Sequence, residues 1–307
     1  MSMFPVTRQR LRLSGGTELA VIAAGNPSNP ALLLLHGFPS SARSFREVIP
    51  VLAETAHVIA PDLPGFGQSD ALPSPSFSAL SDAIAEALDR FAVGPRYIYL
   101  HDFGAPVGLQ LAMNAPELVS GLIIQNANAH RTGFGPQWSE TLAYWSQPNP
   151  ENEAAATAHL TLEGIRDQYI AGVPPEVAAG IAPEVWAEDW RVMCLPGRME
   201  TQRALIADYA SYVARFDAIA DYLSTRQPPA LMLWGRHDAF FDIAETLSWM
   251  QALPRMEAHI FDAGHFLLET HAARAAALMA EFIKRAEQTR VARAPADSTR
   301  GGSRRAP

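Results

Sequence analysis

One cysteine (Cys194) and one lysine (Lys284) stand in a chain of 307 residues that carries 23 arginines, 32 carboxylates and 9 histidines. A single cysteine cannot close an internal disulfide, and no thiolate cluster exists to hold zinc or an iron–sulfur centre. Lys284 follows Glu-Phe-Ile rather than a glycine-rich stretch, which excludes a P-loop and leaves a Schiff-base lysine without a supporting context. No cofactor is expected. Long apolar runs are also missing: nothing approaches the roughly 18 residues of a membrane span. The N-terminal Met1-Ser-Met-Phe-Pro-Val-Thr-Arg8 has no apolar core before its charge, so neither a signal peptide nor a membrane partner is expected. Net charge is −8, which argues against nucleic acid, because phosphate neutralisation needs clustered cations. What is left for chemistry is carboxylate, histidine, serine and tyrosine, in a protein expected to be cytoplasmic.

Apolar residues make up 48% of the chain, enough for a sizeable core. The first third alternates short apolar runs with helical patterns at about 43–54, 79–92 and 105–114, the texture of strand–helix–strand units. Residues 7–13 and 18–24 flank Gly15-Gly16 and predict an opening antiparallel hairpin. Ala31-Leu-Leu-Leu-Leu35, His57-Val-Ile-Ala60, Tyr97-Ile-Tyr-Leu100 and Gly121-Leu-Ile-Ile-Gln125 are continuous runs, as expected of strands buried on both faces. From 127 to 225 the strand signal stops, and helix-like stretches carry many aromatics. Alternation resumes with Ala230-Leu-Met-Leu-Trp234, a helix near 241–252, Glu257-Ala-His-Ile-Phe261 and a helix over about 266–286. The expected organisation is an α/β core of residues 1–126 and 226–290 interrupted by a helical cap at 127–225. Residues 291–307 hold four arginines and no aromatic, and are expected to be a disordered tail.

The strongest local signal is Tyr97-Ile-Tyr-Leu-His-Asp-Phe-Gly-Ala-Pro-Val-Gly108, an apolar strand running straight into a polar residue and a helix. A sharp strand–nucleophile–helix turn needs a small residue two places after the nucleophile, and Gly104 stands there relative to Asp102. An aspartate before a helix is also an ordinary N-cap. Two further segments favour chemistry. Asp238 lies just beyond the run 230–234, and His265 follows the run 257–261 in Phe261-Asp-Ala-Gly-His265. Nucleophile, acid and histidine in that order, each at the end of a strand, is the arrangement of the α/β hydrolases.

On these residues the chain resembles an α/β-hydrolase-fold protein over about residues 7–288, with a mostly parallel eight-stranded sheet and a cap inserted after the sixth strand. Leu35-His-Gly-Phe-Pro-Ser-Ser41 resembles the family's oxyanion-hole loop, and Pro61-Asp-Leu-Pro-Gly-Phe-Gly-Gln-Ser-Asp70 its structural loop after the fourth strand. His101-Asp-Phe-Gly104 resembles the elbow of the aspartate-nucleophile branch, which comprises epoxide hydrolases and dehalogenases. The resemblance implies Asp102 as nucleophile, His265 as base, Asp238 as its orienting acid, with Asp242 in reserve, and backbone N–H groups of Phe38 and Phe103 as the oxyanion hole. Gln125-Asn-Ala-Asn-Ala-His130 offers no carboxylate for the alternative acid position found in some dehalogenases. His36 and His101 are expected to orient rather than react.

Leaving group separates the two substrate classes. An epoxide oxygen needs an acid, which the resembling enzymes supply from two cap tyrosines; Tyr144 and Tyr209 stand in matching segments, with Tyr212 in reserve. A halide needs N–H donors, typically tryptophan after the nucleophile and asparagine in the oxyanion loop, where this chain has Phe103 and Phe38. Leu100, by contrast, occupies a position that is usually glycine in epoxide hydrolases. The expectation is therefore an epoxide hydrolase, with haloalkane dehalogenase as the alternative enzyme and a non-catalytic ligand-binding member of the fold as the alternative class. Trp138, Trp145 and Trp186 favour an apolar cleft. The expected partners are a small apolar substrate and water, with a homodimer left open.

Overall fold

The computed structural model describes residues 5–293. Eight strands form one sheet: β1 (Thr7–Arg12), β2 (Glu18–Ala24), β3 (Ala31–Leu35), β4 (His57–Pro61), β5 (Arg96–His101), β6 (Val119–Gln125), β7 (Ala230–Gly235) and β8 (Glu257–Phe261). Their order across the sheet is β1-β2-β4-β3-β5-β6-β7-β8. β2 runs antiparallel to both neighbours, and every other pair is parallel. The opening hairpin turns at Gly16, whose φ of 88° suits glycine.

Side chains alternate between the two faces of the sheet, and both faces are covered. Leu33, Leu35, Ile98, Leu100, Leu122 and Ile124 enter one buried cluster. Leu32, Leu34, Tyr97, Tyr99 and Ile123 enter another on the opposite face. This is why the central strands read as unbroken apolar runs. Each such side chain, fully buried, contributes roughly 1.5–3 kcal/mol of transfer free energy.

The covering helices of the core are α1 (Ile49–Leu52), α2 (Phe77–Arg90), α3 (Gly104–Asn114), α11 (Ala244–Ala252) and α12 (Leu268–Arg293). Between β6 and β7 lie α4 (Ser139–Ser146), α5 (Pro150–Ala156), α6 (Leu162–Ile170), α7 (Pro175–Ala178), α8 (Glu184–Met193), α9 (Arg198–Val213) and α10 (Phe216–Arg226). Among the described residues no strand interrupts this run, as the aromatic-rich helical pattern implies. One boundary differs from expectation. α10 packs against α3 and α11 and so stands with the core, although a cap reaching residue 225 would include it. The expected tail also begins too early, since residues 291–293 still belong to α12; the rest of it lies outside the described residues.

One tight point of the sheet is where β5 enters α3. A Cβ at Gly104 would fall 2.5 Å from the Leu35 carbonyl oxygen and 2.9 Å from that of His36. Backbone atoms of a central strand cannot yield. Gly104→Ala is therefore expected to lower stability by about 1–3 kcal/mol in urea titrations, the usual scale of overpacking. Gly94→Ala, where a Cβ would meet no atom within 4 Å, serves as the neutral comparison.

Candidate active site

Strand β5 delivers Asp102 into the left-handed region, at φ 47°, before α3 begins. Aspartate is among the few side chains that tolerate this conformation. Asp102 does not cap the helix: Phe103 occupies the cap position, with no side-chain cap bond. The carboxylate, 7% exposed, instead accepts a 2.6 Å hydrogen bond at Oδ1 from the Phe38 N–H, and the Phe103 N–H lies close enough to favour its charged form. The two backbone donors named from the oxyanion motif thus stand on the side of this carboxylate. Close approach is possible because residue 37 is glycine; a Cβ there would sit 2.4 Å from that of Asp102. His36 holds this loop, its Nε2 accepting from the Leu63 N–H at 2.9 Å. Asp62, in the loop after β4, accepts from the Ala42 and Gln68 N–H groups at 2.8 Å each, a structural role.

His265 follows β8 and pairs through Nδ1 with Asp238 Oδ2 at 2.8 Å, both side chains being 1% exposed. The other oxygen of Asp238 accepts from the Phe240 and Phe241 N–H groups at 2.8 and 3.1 Å. His265 Nε2 is buried and has no hydrogen-bond partner among the described residues. Asp242 is no rival acid: it is exposed and accepts from the Ala244 N–H at the start of α11. His237 is likewise occupied, with Asp262 at 2.6 Å.

The amide-rich segment after β6 contributes what its lack of a carboxylate hid. Asn126 Nδ2 donates to Asp238 Oδ2 at 2.8 Å and to the Gly235 carbonyl at 3.1 Å, while its Oδ1 accepts from the Gly235 N–H at 2.9 Å. Asn126 therefore fixes the acid from the strand end where another branch would place a carboxylate. Gln125 Nε2 donates to the His265 carbonyl at 3.0 Å. His101 packs its ring 4.6 Å from that of His265, and burial together with the His265 charge keeps it well below the usual histidine range.

The two cap tyrosines fare differently. Tyr209, on α9, lines a cavity of about 240 Å³ together with Asp102, Phe103, Trp138 and Trp145. Its ring is stacked on Trp145, with centroids 5.7 Å apart and planes 8° from parallel. Its hydroxyl is buried without a hydrogen-bond partner among the described residues; the Asn128 amide stands close without reaching hydrogen-bond geometry. Tyr144 does not line the cavity, which corrects the expectation of a tyrosine pair. Trp138, just before α4, and Thr141 and Trp145 on it meet the cavity, while Tyr144 is partly exposed and does not. Tyr212 is also excluded, since its hydroxyl donates to the Asn128 carbonyl. Both cavity indoles are committed as well: Trp138 Nε1 donates to the Phe240 carbonyl at 2.7 Å and Trp145 Nε1 to the Ile206 carbonyl at 2.9 Å. His159 and Gln168 line the same cavity and carry no recognisable sequence signal. Among the described residues no group of three His, Cys, Asp or Glu side chains is placed to hold a metal ion, and no helix is long and apolar enough to cross a membrane.

A family model described as the alpha/beta hydrolase fold matches residues 30–272, and the chain belongs to that family of hydrolases. It is 31% identical over 268 residues to the uncharacterized hydrolase YNR064C of Saccharomyces cerevisiae, covering 85% of this chain and 92% of that protein. The structure of the epoxide hydrolase CorEH superposes with a TM-score of 0.75 at 23% identity, over 92% of this chain and 99% of that one. A loop variant of a haloalkane dehalogenase from Bradyrhizobium elkanii superposes with a TM-score of 0.73 at 21% identity, over 94% and 100%. At these identities both structures speak to the fold alone.

Electrostatics sets a pH dependence. Burial raises Asp102 above the ordinary carboxylate range, against the pull of His265 and the two backbone donors. Burial alone would lower His265, but Asp238 and Asp102 outweigh it and hold the imidazole above its ordinary value. A base must be neutral, so any step that uses His265 is expected to fail as pH falls through a value above 6.5. Replacing Asp238 by asparagine removes the largest raising influence; the acid limb of that step should move to lower pH in stopped-flow profiles, with a slower plateau. Tyr209 is pushed well above 10 by burial, so no alkaline limb from its ionisation is expected below that pH.

Proposed function

We propose that the protein is an epoxide hydrolase acting through a covalent ester on Asp102. The observation that carries this reading is the uncommitted hydroxyl of Tyr209 beside Asp102, in a cavity whose two indole N–H groups are already bonded to backbone carbonyls. A leaving alkoxide needs a proton, and Tyr209 has one to give; the indole pair Trp138 and Trp145, which could otherwise hold a halide, is already bonded to backbone carbonyls. The family's resemblance to epoxide hydrolases also supports this reading, with Tyr209 acting alone where two tyrosines were expected.

In the proposed reaction Asp102 Oδ2 attacks an epoxide carbon, the C–O bond breaks, and Tyr209 transfers its proton to the departing oxygen. His265 Nε2 then takes a proton from water as the water adds to the ester carbonyl of Asp102. The oxyanion forms on Oδ1, the oxygen bonded to the Phe38 N–H, with the Phe103 N–H as the second donor of the expected hole. Collapse releases the diol, and the imidazolium returns its proton to the Tyr209 phenolate. One oxygen of Asp102 then derives from water.

Single-turnover incubation with styrene oxide and, separately, 1-bromobutane tests the assignment. The expected result is a diol that vanishes in Asp102→Ala and forms at least about 100-fold more slowly in Tyr209→Phe, the scale of general acid catalysis. His265→Gln should stall at the ester, seen as an intact-mass gain of one epoxide. Bromide release without diol formation would replace this reading with a haloalkane dehalogenase. Binding of both probes without alkylation of Asp102 would favour a ligand-binding protein.

A further inference from the structure

Tyr209 is not the cavity's only polar lining. Ile165, Gln168 and Tyr169 are buried positions of α6, and this spacing marks the helix face normally reserved for apolar residues. Gln168 breaks that pattern. It is 7% exposed and lines the cavity, so a polar side chain stands where the helix face calls for an apolar one.

His159, just before α6, lines the same cavity. Its ring meets the edge of Phe38 at a centroid distance of 5.7 Å, and the Phe38 N–H is the one bonded to Asp102. Its backbone is pinned. The Thr161 N–H donates to its carbonyl at 2.8 Å, and a Cβ at Gly164 would fall 2.0 Å from that same oxygen, so only glycine fits there. Burial lowers the imidazole below its ordinary value, against a raising contact with the Ala156 backbone. No arginine or lysine lines the cavity, while Glu140 does, so an anionic substrate would meet no counter-charge. The volume, about 240 Å³, is under the roughly 300–1,000 Å³ of pockets that take drug-sized ligands.

We propose that the substrate is a small epoxide bearing a neutral hydrogen-bonding oxygen (a hydroxyl, ether or carbonyl), which Gln168 and His159 recognise across Phe38 from Asp102. This specificity rests on the epoxide hydrolase reading. It narrows the expected apolar substrate to one that is apolar in body and polar at one defined atom. Gln168 and His159 are specificity residues and take no part in bond breaking.

The test compares two epoxides of equal size, butyl glycidyl ether and 1,2-epoxyoctane, which differ by one ether oxygen in place of a methylene. Wild-type kcat/KM should favour the ether by at least tenfold, and that ratio should fall to near one in Gln168→Leu. His159→Phe should lower the same ratio, which guards against a folding defect in either variant alone; thermal melts identify such a defect. An equal wild-type preference for both epoxides, or a ratio unchanged in both folded variants, overturns the specificity and leaves the hydrolase reading standing. If neither epoxide opens and neither alkylates Asp102, the hydrolase reading itself falls.

Discussion

Everything at the site follows from one backbone conformation, the left-handed turn at Asp102. For a residue other than glycine, such a conformation costs about 1–3 kcal/mol and persists only where the surroundings over-determine it. Here they do. β5 is paired on both sides, with β3 and β6, and α3 starts two residues later against the carbonyls of Leu35 and His36. The chain has no other path between strand and helix. The turn lifts the carboxylate out of the sheet and into reach of the Phe38 N–H, and it forces glycine at 37 and 104, where a Cβ would collide. The same parallel order brings the ends of β7 and β8 to this end of the sheet. That is how Asp238 and His265 arrive from more than a hundred residues away.

Cap and core are tied at several independent points, and these ties determine how firmly Tyr209 is presented. Arg43 of the core donates to Asp189 at 2.7 Å and to the Val185 carbonyl at 2.6 Å on α8. Asp208, next to Tyr209, accepts from the Phe77 N–H at the start of α2 at 2.7 Å. Tyr169 stacks on Phe266, the neighbour of His265, at 4.1 Å between centroids. These hydrogen bonds are partly buried, which screens their charged partners less than full exposure would. The Tyr209 ring is further held by Trp138, Trp145, Phe77 and Phe103. A donor confined this way needs little reorganisation when charge develops next to it, which is the main route by which a buried site accelerates a reaction.

How legible each feature was in the sequence depended on whether it left a periodic or positional trace. Strands buried on both faces must be apolar throughout, so Ala31–Leu35 and Ala230–Gly235 were plain. Asp102, Asp238 and His265 each end such a run, and Gly104 marks the close approach, so these three positions could be named as candidates. Tyr144 and Trp145 are adjacent on a short helix; the motif locates the segment but not its rotation, and a shift of one residue exchanges tyrosine for tryptophan at the cavity. Asn126 was passed over because its segment was searched for a carboxylate, whereas the amide works by holding one. Gln168 and His159 are single polar residues in helical texture. Only the placement of α6 over the cavity gives them meaning. α10 reads as helix like its predecessors, and its partners α3 and α11 are far away in sequence.

The two buried ionisable groups also regulate each other in the proposed cycle. The charge of Asp102 is one of the influences that hold His265 above its ordinary value, while the charge of His265 opposes the burial that raises Asp102. In the proposed reaction alkylation replaces the charge of Asp102 by a neutral ester, so one influence that raises His265 is lost while Asp238, bonded to Nδ1, is unchanged. The neutral imidazole that the water step requires is therefore favoured more after the first step than before it, and the two half-reactions are coupled through this buried pair.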